Sequence, residues 1–246
     1  MRHLLPLVIL LTSMISSCTS RTEAGKIVDK AIEAHGGILF EKAKIEFDFR
    51  ERHYEIFKSP NAFEYVREFT DSTGLVRDVL NNSGFVRTVN GQEVTLEEKQ
   101  TKAFTNSVNS VAYFAFLPYG LNDASVYKEY LGESELEGKA YQLIKVTFSE
   151  VGGGEDFDDE FIYWFDKETF RIGYVAYSYH TDGGGVRFRR AIKTHEVGGL
   201  VFLDYENYKP AMKDTPVEEM EALFKEGKLE LLSEILLENI KVEILK

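Results

Sequence analysis

At 246 residues the chain is long enough to bury a sizeable core, as one large β-rich domain or two small ones, and one is expected. Acidic residues outnumber basic ones 41 to 29, and the formal charge of −12 repels phosphate backbones and anionic headgroups, which argues against nucleic acid as a partner. Cys18 is the only cysteine, so no internal disulfide can form and stability must come from the core.

The chain opens with Arg2 and His3, followed by an apolar run from Leu4 to Leu11 that is too short to span a bilayer. Ile15-Ser16-Ser17 then leads into Cys18. This reads as an export signal over residues 1–17. A lone cysteine at the end of such a leader resembles the lipobox of a bacterial lipoprotein, and the resemblance implies that Cys18 is acylated and becomes the mature N-terminus. Residues 18–23 then form a short polar tether and 24–246 the folded domain. No later apolar run is long enough to cross a bilayer, so membrane contact is expected through the lipid or a surface patch.

Thr22 is placed to cap a first helix. Ile27, Ala31 and Ala34 recur on one face beside Val28 and Ile32, and Gly36-Gly37 supplies a left-handed stop. From Lys44 the period changes to two, and strands are predicted over 44–49, 54–57 and 63–69. Turn signals at Asp71–Gly74, Asn81–Gly84 and Asn90-Gly91 make the first half a meander of hairpins, with a short strand from Phe85 to Val89. Thr95-Leu-Glu-Glu98 reads as a capping box, and Phe104, Val108, Val111 and Ala115 fall at helical spacing before Pro118. Five further strands are predicted over 141–149, 160–165, 170–179, 186–194 and 200–208. Thr215-Pro-Val-Glu218 opens a short helix that Gly227 closes. The segment 229–245 fits either period, and the alternation of Ile240, Val242 and Ile244 with charged residues favours a strand.

This order of lipobox, helix, Gly-Gly, antiparallel meander, inserted helix and second meander with a Tyr163-Trp-Phe-Asp-Lys-Glu-Thr-Phe170 hairpin resembles the LolA/LolB-like superfamily of lipoproteins. More narrowly, Ala31-Ile-Glu-Ala-His-Gly-Gly37 and that hairpin are similar to a group of uncharacterised lipoproteins common in Bacteroidota. The resemblance implies a mainly β fold of the α+β type: a curved antiparallel sheet forming an incomplete barrel, with helices across its concave face. In the carriers of that superfamily the cavity holds acyl chains.

Catalytic constellations are weak. His35, His53, His180 and His195 share no metal-ligand spacing, and the chain has no GxSxG elbow, P-loop or strand-borne GxGxxG. His35 reads as a residue of the last helical turn, and His180-Thr-Asp182 as a hairpin end. The acidic run Glu155–Glu160 lacks the order of a calcium loop, because its glycines precede the acids, and reads as a solvated turn. Arg187, Arg189 and Arg190 most simply form the outward face of a strand, with an anion site as the alternative. No catalytic residue, metal or cofactor is expected, and an enzyme is the least favoured class.

Two functions stay open. One is a lipid-anchored envelope protein, at the outer membrane facing the periplasm, that binds or carries a hydrophobic ligand or lipoprotein acyl chain in a cavity lined by Phe104, Val108, Val111 and Ala115. The other is an interaction lipoprotein that docks an envelope partner and holds no small molecule. The 18 Phe and 13 Tyr suit either a ligand cavity or a filled core, since both need the same side chains.

Overall fold

The computed structural model describes residues 21–151 and 157–245. The leader, Cys18, and Glu155 and Asp156 of the acidic run lie outside them. Helix α1 spans Glu23–Ala34 and buries Ile27, Val28 and Ala31, with the Thr22 Oγ1 accepting the Gly25 N–H at 3.2 Å. Gly36 and Gly37 end it at φ +124° and +56°. Only glycine serves at the first of these, since a Cβ there would also meet the Leu200 side chain at 2.5 Å.

A first sheet follows as a simple meander: β1 Ala43–Phe49, β2 Arg52–Lys58, β3 Phe63–Asp71, β4 Gly74–Asn81, β5 Gly84–Val89 and the two-residue β6 Gln92–Glu93. Helix α2, Glu98–Ala115, then crosses the concave side. The second sheet is another meander: β7 Val126–Leu136, β8 Lys139–Phe148, β9 Phe161–Asp166, β10 Ile172–Tyr179, β11 Gly185–Val197, β12 Leu200–Lys209 and β13 Glu230–Ile235. Helix α3, Met220–Lys225, lies between β12 and β13 in sequence. The last strand, β14 Glu238–Ile244, leaves the second sheet and pairs antiparallel with β1, Ile45 opposite Val242. The segment 229–245 is thus a pair of strands, as its alternation indicated.

Each sheet has seven strands, all neighbours antiparallel, and the two do not close into a barrel. The fold is the incomplete, helix-plugged antiparallel architecture that the sequence resemblance implied. Three apolar clusters hold it together. Phe40, Ile45, Phe47, Tyr54, Ile56, Tyr65 and Leu80 pack under Val108, Ala112 and Ala115 of α2. Ile27, Val28 and Ala31 of α1 cover the inner face of the second sheet at Ile144, Phe161, Tyr163, Phe165, Val175, Val201 and Leu203. The other face of that sheet is also covered, by Val217 and Met220 over Ile162, Trp164, Tyr174 and Phe188.

Three local expectations need correcting. Helix α2 begins at Glu98 rather than after a Thr95 cap, because Glu97 and Gln100 form the capping box, the Glu97 N–H donating to Gln100 Oε1 at 3.1 Å. Thr215 does not cap α3: its hydroxyl donates to the Met212 carbonyl at 2.7 Å, and a 3-10 turn over Val217–Glu219 precedes the helix. The unforeseen strand β7 is an edge on which exposed residues alternate with partly buried ones, and because the partly buried face carries Lys128, Gly132 and Ser134 the sequence shows no apolar alternation to read. Among the described residues no helix is long and apolar enough to cross a membrane.

Candidate functional site

The four side chains expected to line a cavity all sit on the face of α2 turned to the first sheet, but in different settings. Val108 and Ala115 are buried at 1% and 8% exposure, and Val111 packs half-buried beside them. Phe104 is half-buried over polar ground, with the Arg87 guanidinium 3.5 Å from its ring centre and Phe85 at 6.3 Å. The space behind Val108 and Ala115 is occupied by Phe40, Tyr65 and Phe116, whose rings touch in pairs. Two open grooves, of about 380 and about 520 Å³, lie elsewhere. One runs beside α1 past Lys26, Lys30, Gln142 and Phe170, and the other past Lys44, Phe57, Phe63 and Leu245.

The fastening of α2 is uneven. Its buried residues are Val108, Ala112 and Ala115, so nothing before Val108 in this 18-residue helix is buried. The first half is held by polar contacts to a charged cluster on β3, β4 and β5. Asp78, fully buried, accepts from Arg67 Nη2 at 2.6 Å and from Arg87 Nε at 2.6 Å, while Arg67 Nη1 donates to Ser107 Oγ at 2.7 Å.

On the second sheet the inner face is aromatic. Phe161 stacks on Tyr163 and Tyr177, and Phe114 from the end of α2 packs against Tyr177 at 5.2 Å. Tyr113, also from α2, sets its hydroxyl 2.7 Å from that of Tyr163. Burial raises the pKa of Tyr113, Tyr163 and Tyr205, so these hydroxyls act as neutral donors and acceptors. Arg187 and Arg189 face this surface, not solvent as the sequence reading favoured. The reason is that Val186 and Phe188 pack on the opposite face beneath α3, so β11 has no solvent side there. The signal lay in β9, whose uninterrupted apolar run Phe161-Ile-Tyr-Trp-Phe165 marks a strand buried on both faces. Arg190 does point away, pairing with Glu137 and Glu206.

The histidines divide. His35 is fully buried: its Nδ1 donates to the Ala31 carbonyl at 2.7 Å, and its Nε2 accepts the Ile172 N–H at 3.5 Å. Burial lowers its pKa to about 4, so the ring is a neutral bridge between α1 and β10. His180 meets the acidic run, which the sequence kept separate from it: Asp158, Asp159 and His180 offer three ligand atoms within 4.8 Å of one another. A mixed nitrogen and oxygen set suits a transition metal better than Ca²⁺. With Asp158 and His180 both exposed and each His180–carboxylate distance at 3.4 Å, the cluster has the geometry of a loose ion-pair group.

With this geometry in view, a model of the family described as "Family of unknown function (DUF6503)" matches residues 5–239. The chain belongs to that family. No curated protein matches it. Among solved structures, the DUF6503 chain is similar to a LolA superfamily protein from Nitrosomonas europaea, with a TM-score of 0.51 and 12% identity over 92% of this chain and 96% of that one. It is equally similar to a DUF1329 family protein from Desulfovibrio piger, with a TM-score of 0.51 and 9% identity over 89% and 93%. These likenesses establish the LolA-like fold of this DUF6503 protein, and the fold alone.

Proposed function

We propose that this DUF6503 protein binds or carries the apolar chain of a lipid or lipoprotein acyl group between α2 and the inner face of the first sheet, tethered to the outer membrane by lipid on Cys18 and facing the periplasm. The observation that carries the reading is the one-ended fastening of α2 over an apolar sheet. Towards the first sheet the helix buries one valine and two alanines, with Val111 half-buried beside them, while its last turns are also held on the second sheet by Tyr113 and Phe114. Burying the valine contributes about 1.5–3 kcal/mol, and about four methylene groups of a bound chain, at about 0.8 kcal/mol each, offset that loss. An acyl chain can therefore replace Val108 and the lightly held first half of α2 against Ile56, Tyr65 and Leu80, with the Arg67–Ser107 bond as a polar latch and Tyr113 and Phe114 keeping the second half in place. Phe104, Val108, Val111 and Ala115 would line the chain.

Placing a carboxylate at the centre of this contact should be far more damaging than placing one at its rim. Val108→Glu is expected to lower uptake of a fluorescent fatty acid by about tenfold or more, with circular dichroism confirming that the variant keeps its fold. Absence of uptake by the wild-type protein, under conditions where a known lipid carrier takes up the probe, overturns the reading. The interaction-lipoprotein alternative would then hold, and the exposed Leu231, Leu232 and Leu236 near the β13–β14 connection would be its first surface to test. The anchor is tested separately. Cys18→Ser is expected to move the protein from the membrane to the soluble fraction, and retention on the membrane would sink the lipid tether.

A further inference from the structure

Arg189 is 9% exposed and faces the aromatic inner surface of the second sheet. Its Nη2 donates to the Tyr177 hydroxyl at 2.9 Å, and its guanidinium lies 3.5 Å from the Phe114 ring centre. Its Nε is buried and has no hydrogen-bond partner among the described residues. Arg187, two positions earlier on the same face, donates to the Tyr179 hydroxyl at 2.6 Å. Among the described residues neither arginine has a carboxylate oxygen within 4.0 Å. Every other arginine that is not exposed, namely Arg67, Arg77, Arg87, Arg171 and Arg190, does. A chain with 41 acidic residues does not lack partners to offer. Asp159, at the same end of the sheet, is turned to His180 instead.

An unmatched guanidinium in an apolar setting is costly unless something else matches it. Tyrosine hydroxyls supply hydrogen bonds but no countercharge. The planar donor fork of arginine fits the two oxygens of a carboxylate or phosphate, and Arg189 keeps one buried N–H open for such a partner. Asn207, directly across from Arg189 on β12, likewise keeps a buried Oδ1 without a partner, and its Nδ2 bonds only the Ser233 hydroxyl. Because that hydroxyl both donates and accepts, the Asn207 amide can turn over and present N–H groups to the same space.

We propose that Arg189, with Arg187 beside it, is the counter-ion site for the anionic head of a single-chain amphiphile, so that the ligand of this protein is an ionised lipid rather than a neutral one. The inference rests on the binding function proposed above and adds the charge of the ligand to it. Phe114, at the fastened end of the same helix as Val108, covers the guanidinium, so the head of the ligand reaches Arg189 when that ring turns aside. The stacked faces of Phe161 and Tyr177 flank the first methylene groups.

The test compares dodecanoate with dodecan-1-ol, which share a chain and differ in charge, and adds dodecyl phosphate to separate a carboxylate head from a phosphate one. Binding is measured at pH 8 by displacement of a fluorescent fatty acid from the wild-type protein and from Arg189→Met. The wild type is expected to prefer an anion over the alcohol by about tenfold or more, and Arg189→Met to bring that ratio close to one by weakening the anions far more than the alcohol. Whichever anion binds more tightly names the head. Equal binding of alcohol and anions by the wild type overturns the counter-ion site and leaves the apolar-chain function standing. Binding of none of the three removes both. If Arg189→Met does not fold, the wild-type ratio decides the matter: a preference of about tenfold or more for an anion supports the site, and a ratio near one overturns it.

Discussion

The inner faces of the two sheets bury arginine in opposite ways. On the first sheet, Arg67 and Arg87 converge on Asp78, and the third nitrogen of Arg67 donates to Ser107 of α2. Their outer surfaces are covered by the rings of Phe69 and Phe104. On the second sheet, among the described residues, Arg187 and Arg189 donate to tyrosine hydroxyls and to the Val186 carbonyl and lie against aromatic faces, with no carboxylate. Desolvation is comparable, since Arg67 is 3% and Arg189 9% exposed, so the difference lies in the countercharge. A buried charge with its partner built in belongs to the fold; on the proposal above, the countercharge of Arg189 arrives with the ligand, and the variants that follow test that difference.

The largest effect expected from this contrast is at Asp78. Asp78→Asn keeps the shape and removes the one anion serving two buried guanidiniums, which should destabilise the protein by about 3–5 kcal/mol. Chemical denaturation monitored by circular dichroism measures it. A loss below about 1 kcal/mol, the size of an exposed ion pair, would show that the cluster is solvated and would erase the distinction between the two faces.

Much of the architecture was legible because the sequence alternates where only one face is buried. In β1, Ile45 and Phe47 are buried while Glu46 and Asp48 between them are not, and the predicted strand over 44–49 matches the observed Ala43–Phe49. Gly36-Gly37 was equally readable, since a left-handed stop and a close approach to Leu200 both demand glycine. Where both faces are covered the same reasoning misplaced side chains: taking Val186 and Phe188 as the single inner face sent Arg187 and Arg189 outward, although a helix lies over each side of that sheet. Periodicity could put Phe104 and Val108 on one helical face, but not tell that the first would rest on Arg87 and the second in a packed core. Nor could spacing along the chain bring His180 to Asp158 and Asp159, because that meeting depends on the register of β9 against β10.

His35 shows a third way to bury an ionisable group, as the neutral form, and predicts an intermediate effect. Its folded pKa is about 4 against an ordinary 6.5, with burial as the main cause and the Arg171 charge adding to it. Between those values the unfolded chain binds a proton that the folded chain does not. Stability should therefore fall as pH drops from about 6.5 to 4, by up to about 1.4 kcal/mol per unit, and this contribution should level off below the folded pKa. Carboxylates titrate in the acid part of the same range, so the measurement is the difference between wild type and His35→Gln. The variant is expected to lose part of the slope above pH 5, where Asp and Glu contribute least. Identical pH profiles would mean that His35 is protonated in the folded protein.

The smallest stability effect is expected at Arg189, and there the smallness is the point. Arg189→Met keeps most of the side-chain volume and removes a buried cation that has no counter-ion among the described residues. The Tyr177 hydroxyl loses its donor, worth about 1 kcal/mol. Relief of the uncompensated charge acts in the opposite direction and is of similar size or larger. The ligand-free variant should therefore unfold within about 1 kcal/mol of wild type, or at higher denaturant. Added dodecanoate should then separate the two proteins, because a ligand that binds only the folded state raises the midpoint of the protein that holds it. A loss of about 3 kcal/mol or more without ligand, matching Asp78→Asn, would make Arg189 part of the scaffold, and the two sheets would then bury arginine for the same reason.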